Sequence, residues 1–171
     1  QRWMCNGWEG MGSVPAAGDS NAVSFVIHRN SSLQWLWTNQ YELLHTATPA
    51  GLVATSTWWL AGATGATLVA PLALTRDATN YQFADWFLDG SRQPDATGIA
   101  VNPLTGILMP TAHVAQARYL PEDTDADGDG LGDWWECFYF GSTNALPGDD
   151  PDTDTYSNVE EYQDRSSPLD P

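Results

Sequence analysis

Over its first 120 residues the chain carries its bulky apolar side chains at period two. Trp3-x-Cys5-x-x-Trp8, Val23-x-Phe25-x-Ile27, Leu33-x-Trp35-x-Trp37 and Tyr81-x-Phe83-x-x-Trp86 each load one face of an extended backbone, as half-buried strands do. The alternation of Leu33, Trp35 and Trp37 continues through Asn39, Tyr41 and Leu43, which predicts a stiff joint with no flexible linker. Further strands are expected over Leu52–Trp59 and Ala66–Ala70, separated by a turn at Ala61-Gly62-Ala63-Thr64-Gly65, and over Ile107–Met109 and Ala115–Tyr119. Asn30-Ser31-Ser32 and Met109-Pro110-Thr111 mark turns between paired strands. No long amphipathic helix is visible before residue 121, and a short one, Trp134–Phe140, is expected before Gly141. The pattern therefore reads as mostly β.

Compared with itself, the chain shows a weak repeat of about eighty residues. Trp3–Trp8 aligns with Tyr81–Trp86, Leu33–Trp37 with Ala115–Tyr119, and Val23–Ile27 with the region of Ile107–Met109. By this alignment residues 1–37 are the second half of a β repeat, residues 38–120 are a complete one, and residues 121–171 form a separate segment. A half-repeat leaves strand edges and part of a core uncovered. Head-to-tail self-association through that incomplete repeat is one expected way of covering them.

Charge separates the last segment from the rest. Residues 121–171 hold 15 of the 22 acids against the single Arg165, a net −14, whereas residues 1–120 carry only −2. The acidity is thus a local supply of carboxylates, and a surface of that sign is a poor partner for nucleic acid or anionic membrane. No apolar run approaches the length needed to span a bilayer, so no membrane insertion is expected. Gln1 in place of an initiator Met reads as a processed or excised end. All six basic residues are Arg, so a Lys–Asn isopeptide crosslink within the chain is excluded.

Two twelve-residue loops use most of these acids. The first, Asp125 to Glu136, places Asp125, Asp127 and Asp129 at positions 1, 3 and 5, the Leu131 carbonyl at 7, Asp133 at 9 and Glu136 at 12, with Gly130 at position 6. The second places Asp150, Asp152, Asp154, the Tyr156 carbonyl, Asn158 and Glu161 in the same slots. Ca2+ is a hard cation that takes six to eight oxygens; short Asp side chains on alternate residues converge on one point, and a longer Glu reaches back to complete the shell. Two calcium ions are expected. The second site is expected to be strained and weaker, because Thr155 stands at position 6 where a sharp turn favours glycine.

Other chemistry finds little support. His28, His45 and His113 stand in no metal-ligand spacing, and the chain contains no GxSxG elbow, Walker loop or HExxH helix, so no enzyme is expected. Cys5 and Cys137 leave two readings open, one bridge or two separate thiols. Trp35, Trp37, Trp58 and Trp59 offer either core packing or a stacking platform for carbohydrate. Trp134 and Trp135 are expected to pack the short helix against the β body.

Asp125–Gly141 (DADGDGLGDWWECFYFG) resembles the calcium repeats, related to thrombospondin type 3 repeats, that end many bacterial surface proteins, and Asp150–Tyr162 (DPDTDTYSNVEEY) resembles the second half of that unit. Thr153 and Thr155 replace glycines of that pattern. Residues 1–120 look like internalin-type B-repeats, on Ala61-Gly62, the Tyr81–Trp86 box and Met109–Tyr119 (MPTAHVAQARY), although Asp85 stands where that family has a glycine and the first copy keeps Gly7. These resemblances imply tandem β-grasp-like repeats, the first partial, followed by two EF-hand-like calcium loops with short helices. They also imply an extracellular, calcium-stabilised structural protein of a bacterial surface: a spacer, an adhesin stalk or a filament subunit. The competing expectation is a carbohydrate- or protein-binding module of a secreted protein, dockerin-like in its paired loops.

Overall fold

A computed structural model describes residues 1–171. Ten strands precede two short helices: β1 (Arg2–Met11), β2 (Ala17–Gly18), β3 (Ser32–Thr48), β4 (Ala54–Leu60), β5 (Ala63–Leu68), β6 (Ala73–Arg76), β7 (Thr79–Leu88), β8 (Ser91–Arg92), β9 (Leu104–Met109), β10 (His113–Pro121), α1 (Asp133–Tyr139) and α2 (Asn158–Asp164). The fold is mostly β. Strand β3 is a single element of 17 residues and the spine of the molecule. It stops before Pro49, which has no N–H to give to a ladder.

The register shows how β3 serves two halves. Its first part pairs antiparallel with β1, from Met11↔Ser32 to Arg2↔Gln40. Its second part pairs in parallel with β10, from His113↔Leu43 to Arg118↔Thr48, and antiparallel with β4, from Thr46↔Ala54 to Gln40↔Leu60. Gln40 is shared by β1 and β4, and residues 43–46 are shared by β10 and β4. A strand has two edges, so β1 and β10 lie on one edge of β3 and β4 on the other. β10 continues the sheet to β7 and then β6, while β5 and β9 pair separately.

One core fills the second half. Leu43 and Ala47 of β3, Phe83 and Trp86 of β7, and Ala115, Ala117 and Tyr119 of β10 meet Ala66 of β5 and Leu104, Ile107 and Met109 of β9. Both sheets therefore contribute to the same interior. Fully burying one of the large side chains stabilises the fold by roughly 1.5–3 kcal/mol.

The antiparallel pairs β1–β3 and β7–β10 repeat one another in register. Cys5↔Trp37, Gly7↔Leu36 and Trp8↔Trp35 correspond to Phe83↔Tyr119, Asp85↔Arg118 and Trp86↔Ala117, and each ladder bulges at the same place, at Asn6 and at Ala84. The bulge is met differently in the two copies. Gly7 has φ 119°, and a side chain there would run into the Gly18 carbonyl of β2. At the equivalent position Asp85 is fully buried.

Several expectations need correction. Val23–Ile27 forms no strand: it lies in the loop between β2 and β3, with Val26 and Ile27 exposed. Its alternation is too short to pay for itself without a neighbouring strand to pair with. β5 begins at Ala63, inside the expected turn, because the chain already reverses at Gly62, whose N–H donates to the Met109 carbonyl across β9. β6 and β8 are additional short strands, both on the edge of β7 away from β10.

Candidate metal centres

The two acidic loops fold alike. In each, the position 6 N–H donates to the position 1 carboxylate: Gly130 N to Asp125 Oδ2 and Thr155 N to Asp150 Oδ2, both 3.0 Å. In each, the position 7 N–H donates to position 5: Leu131 N to Asp129 Oδ1 at 2.9 Å and Tyr156 N to Asp154 Oδ1 at 2.8 Å. In each, the position 9 N–H closes the loop onto the carbonyl just before it, Asp133 N to Thr124 O at 2.9 Å and Asn158 N to Asp149 O at 2.8 Å. These bonds turn the three leading carboxylates inward. Oxygens of Asp125, Asp127 and Asp129 lie within 4.8 Å of one another, as do those of Asp150, Asp152 and Asp154.

Such tight winding needs a left-handed backbone at positions 4 and 6. Gly128 and Gly130 supply it in the first loop, at φ 74° and 98°. In the second loop Thr153 and Thr155 adopt φ 64° and 85°, a costly conformation for a β-branched residue. The strain expected at Thr155 is present in the backbone, and Thr153 shares it.

The twelfth position separates these loops from ordinary acidic turns. Glu136 is fully buried on α1 and Glu161 nearly so on α2. Glu136 Oε1 accepts from Ala145 N at 2.9 Å, but its Oε2 has no partner; Glu161 Oε2, Asp150 Oδ1, Asp152 Oδ2 and Asn158 Oδ1 are likewise buried and unpartnered. Leaving so many oxygens out of water without donors is costly. Burial, and then the carboxylates of Asp129, Asp127 and Asp133, push the Glu136 carboxyl up to about 7 against the pull of the Ala145 N–H. Burial, followed by Asp152, Asp154 and Asp150, does the same for Glu161, also to about 7. The donor set, all oxygen and mostly anionic, fits a hard divalent cation. Asp133 is also engaged within the protein, its Oδ1 accepting from Ala126 N at 2.9 Å.

The two loops are tied to each other and to the trunk. Trp135 packs on Tyr162 at 5.6 Å between ring centres, and Trp134 packs on the same ring at 6.3 Å. Asn158 donates its side-chain N–H to the Leu146 carbonyl at 2.8 Å. On the trunk side Phe138 stacks edge-on against Phe83 at 6.4 Å, and its carbonyl accepts from Ala100 N at 2.8 Å.

An ion cluster that pattern reading missed completes this attachment. Asp85 accepts from Arg92 Nε at 2.9 Å and from Arg118 Nε and Nη2, both at 2.8 Å. Arg92 then reaches on to the Gly98 carbonyl at 2.8 Å and to the Cys137 carbonyl near the C-terminus of α1 at 3.0 Å. That helix has no basic residue in its own last turn, so the trunk supplies the cation its carbonyl end favours. Gly141 is needed beside it: a side chain there would meet the Arg92 guanidinium at 2.9 Å. The available signal was Asp85 itself, an acid between Phe83 and Trp86 in the apolar half of its strand.

The remaining candidates scatter. Cys5 and Cys137 are both free thiols, one on β1 and one buried on α1, so no bridge joins them. His28 lies in the loop before β3, His45 is buried against Trp86, and His113 is paired with Asp89. The four Trp do not form one platform: Trp35 stacks on Trp8, Trp58 lies under the Arg2 guanidinium, Trp59 packs at the core margin, and Trp37 is exposed. No helix is long and apolar enough to cross a membrane. Comparison with protein-family models, curated proteins and solved structures gave no match to this chain.

Proposed function

We propose that the chain is a calcium-braced structural module of an extracellular surface, a spacer or stalk in which two bound ions hold the C-terminal segment rigid against a β trunk. One observation carries this reading: the buried, unpartnered oxygens of Glu136 and Glu161 stand beside the Asp125, Asp127, Asp129 and Asp150, Asp152, Asp154 triplets. A loop that served only as a solvated linker would have no reason to bury its last carboxylate. The Leu131 and Tyr156 carbonyls, Asp133 and Asn158 complete the two sets. Calcium outside cells is near millimolar, so even sites with dissociation constants of about 10⁻⁴ to 10⁻³ M are substantially filled there and act as permanent braces.

The β-grasp-like character of the trunk and its origin in a duplicated unit belong to this same proposal, supported by the matched register and bulge of the two strand pairs. Isothermal titration with calcium tests the reading. Two ions per chain are expected, with removal by EDTA lowering the melting temperature by many degrees. An unchanged melt in EDTA, or no heat at 10-millimolar calcium, refutes it. Terbium luminescence sensitised by Trp134 and Trp135 gives a second readout of the same loops.

A further inference from the structure

Where α1 lies against the trunk it leaves a cleft of about 220 Å³, and no residue of either proposed calcium shell lines it. Half of the lining is aromatic: Phe83 of β7 faces Trp134, Trp135, Phe138 and Tyr139 of α1. Those four helical residues fall at i, i+1, i+4 and i+5, so two adjacent rows of the helix turn the same way. The rings meet steeply. Phe83 stands at 75° to Phe138, Phe138 at 78° to Tyr139 and Trp135 at 60° to Tyr139. Rings so inclined wall a space on several sides and offer no single flat face of the kind a sugar ring stacks on.

Two opposite charges stand at the rim. Glu122, just beyond β10, is half-buried, and its only side-chain bond is a long one, 3.4 Å from Asn80 Nδ2. Arg165 is the only basic residue after Arg118, and it forms no ion pair. It ends α2 with a left-handed backbone, φ 59°, a conformation that glycine adopts at less cost. The one cation of this segment is thereby stationed on the cleft.

We infer that the cleft binds a small zwitterion: a methylated ammonium held among the aromatic rings and beside Glu122, joined by a short chain to a carboxylate that meets Arg165 and Ser166. Ring faces present the negative side of their quadrupoles to a cation, and the net −14 of residues 121–171 favours one. A trimethylammonium suits the rings better than a primary amine, because it is weakly hydrated and gives them apolar methyl groups. A cation alone would leave Arg165 facing a like charge, and an anion alone would face Glu122 and the acidic segment. One molecule carrying both signs satisfies each, and pairing of its carboxylate with the planar guanidinium fixes its orientation. The inference stands apart from the calcium reading, since the cleft is built by the seating of α1 on Phe83.

The test titrates the full chain, in calcium, with γ-butyrobetaine and follows the indole N–H signals by nitrogen-15 NMR. Signals of Trp134 and Trp135 are expected to move saturably, with a dissociation constant of about 1 mM, while those of Trp3 on β1 and Trp37 on β3 stay still. The analogue 5,5-dimethylhexanoate, which has carbon in place of the nitrogen, is expected to bind about threefold more weakly or worse. Arg165→Gly suits the left-handed backbone and is expected to weaken γ-butyrobetaine by about two- to fivefold without weakening choline, which lacks the carboxylate. No movement of the Trp134 and Trp135 signals at about 20 mM ligand overturns the inference. Equal binding of the carbon analogue overturns it too, making the cleft a plain apolar anion site, as does an unchanged affinity in Arg165→Gly.

Discussion

Replacing Asp85 by Asn keeps the shape of the buried side chain and removes its charge, leaving Arg92 and Arg118 facing each other without a counter-ion. Asp85 is wholly buried and accepts three charge-assisted bonds of 2.8–2.9 Å. Breaking a buried ion cluster by deleting one partner costs about 3–5 kcal/mol, because the remaining charge stays desolvated. For a chain of this size each kcal/mol moves the midpoint by about 2–4 °C, so D85N is expected to melt about 6–20 °C lower than the parent in saturating calcium. The assay is thermal unfolding followed by circular dichroism at fixed calcium. The triple variant D85L/R92M/R118M is the control: swapping the whole cluster for apolar groups removes the uncompensated charges and is expected to recover part of the loss, the remainder reflecting the Gly98 and Cys137 carbonyls that Arg92 no longer reaches. A D85N shift below 2 °C, or a triple variant that melts no higher than D85N, would refute the view that paired charge is what the cluster contributes.

Arg92→Met is expected to weaken calcium binding at the first loop more than at the second, by roughly three- to tenfold, because it also releases the Cys137 carbonyl one residue beyond Glu136; site-resolved titration of loop variants measures this. Thr155→Gly is expected to tighten the second loop by about 1 kcal/mol by relieving its left-handed backbone, seen as roughly fivefold stronger binding there. The Glu136 and Glu161 carboxyls both lie at about 7 without metal, above their unfolded values. Their contribution to the stability of calcium-free protein is therefore full below pH 4.5 and is lost as pH rises through 7. Calcium binding at pH 7 should then release about one proton per chain, which titration in buffers of different ionisation enthalpy detects as a difference in heat. His45 is shifted the other way: burial holds its pKa below the usual value of 6.5. The unfolded chain takes up this proton first, so calcium-saturated protein should lose stability as pH falls below 6.5, and His45→Leu should flatten that limb of the pH–stability curve.

The convergence of the two acidic loops was legible in the sequence. Ligand spacing in such a loop is set by local backbone geometry, so Asp125, Asp127, Asp129 and their counterparts Asp150, Asp152 and Asp154 converge with little help from distant residues. The same local logic found the strain at Thr155 and the unbroken run of β3 through Trp37 and Leu43. Period-two alternation also located β1, β7 and β10, because each buries one face. It failed at Val23–Ile27, where alternation is present but no neighbouring strand is in reach to satisfy the backbone.

What only the tertiary structure decided is which partner each group meets. Whether Glu136 faces water or sits buried with an unmatched oxygen depends on α1 docking against Phe83 and Ala100, contacts across more than thirty-five residues of chain. Asp85 became the anchor of that docking because the fold brought Arg92 and Arg118 to it, one from β8 and one from β10. Which strands line each edge of β3 is likewise not written in its own residues, since a strand's hydrogen-bonding edges are backbone. Local spacing dictates geometry over a dozen residues; desolvation and edge pairing are set by whatever else folds alongside.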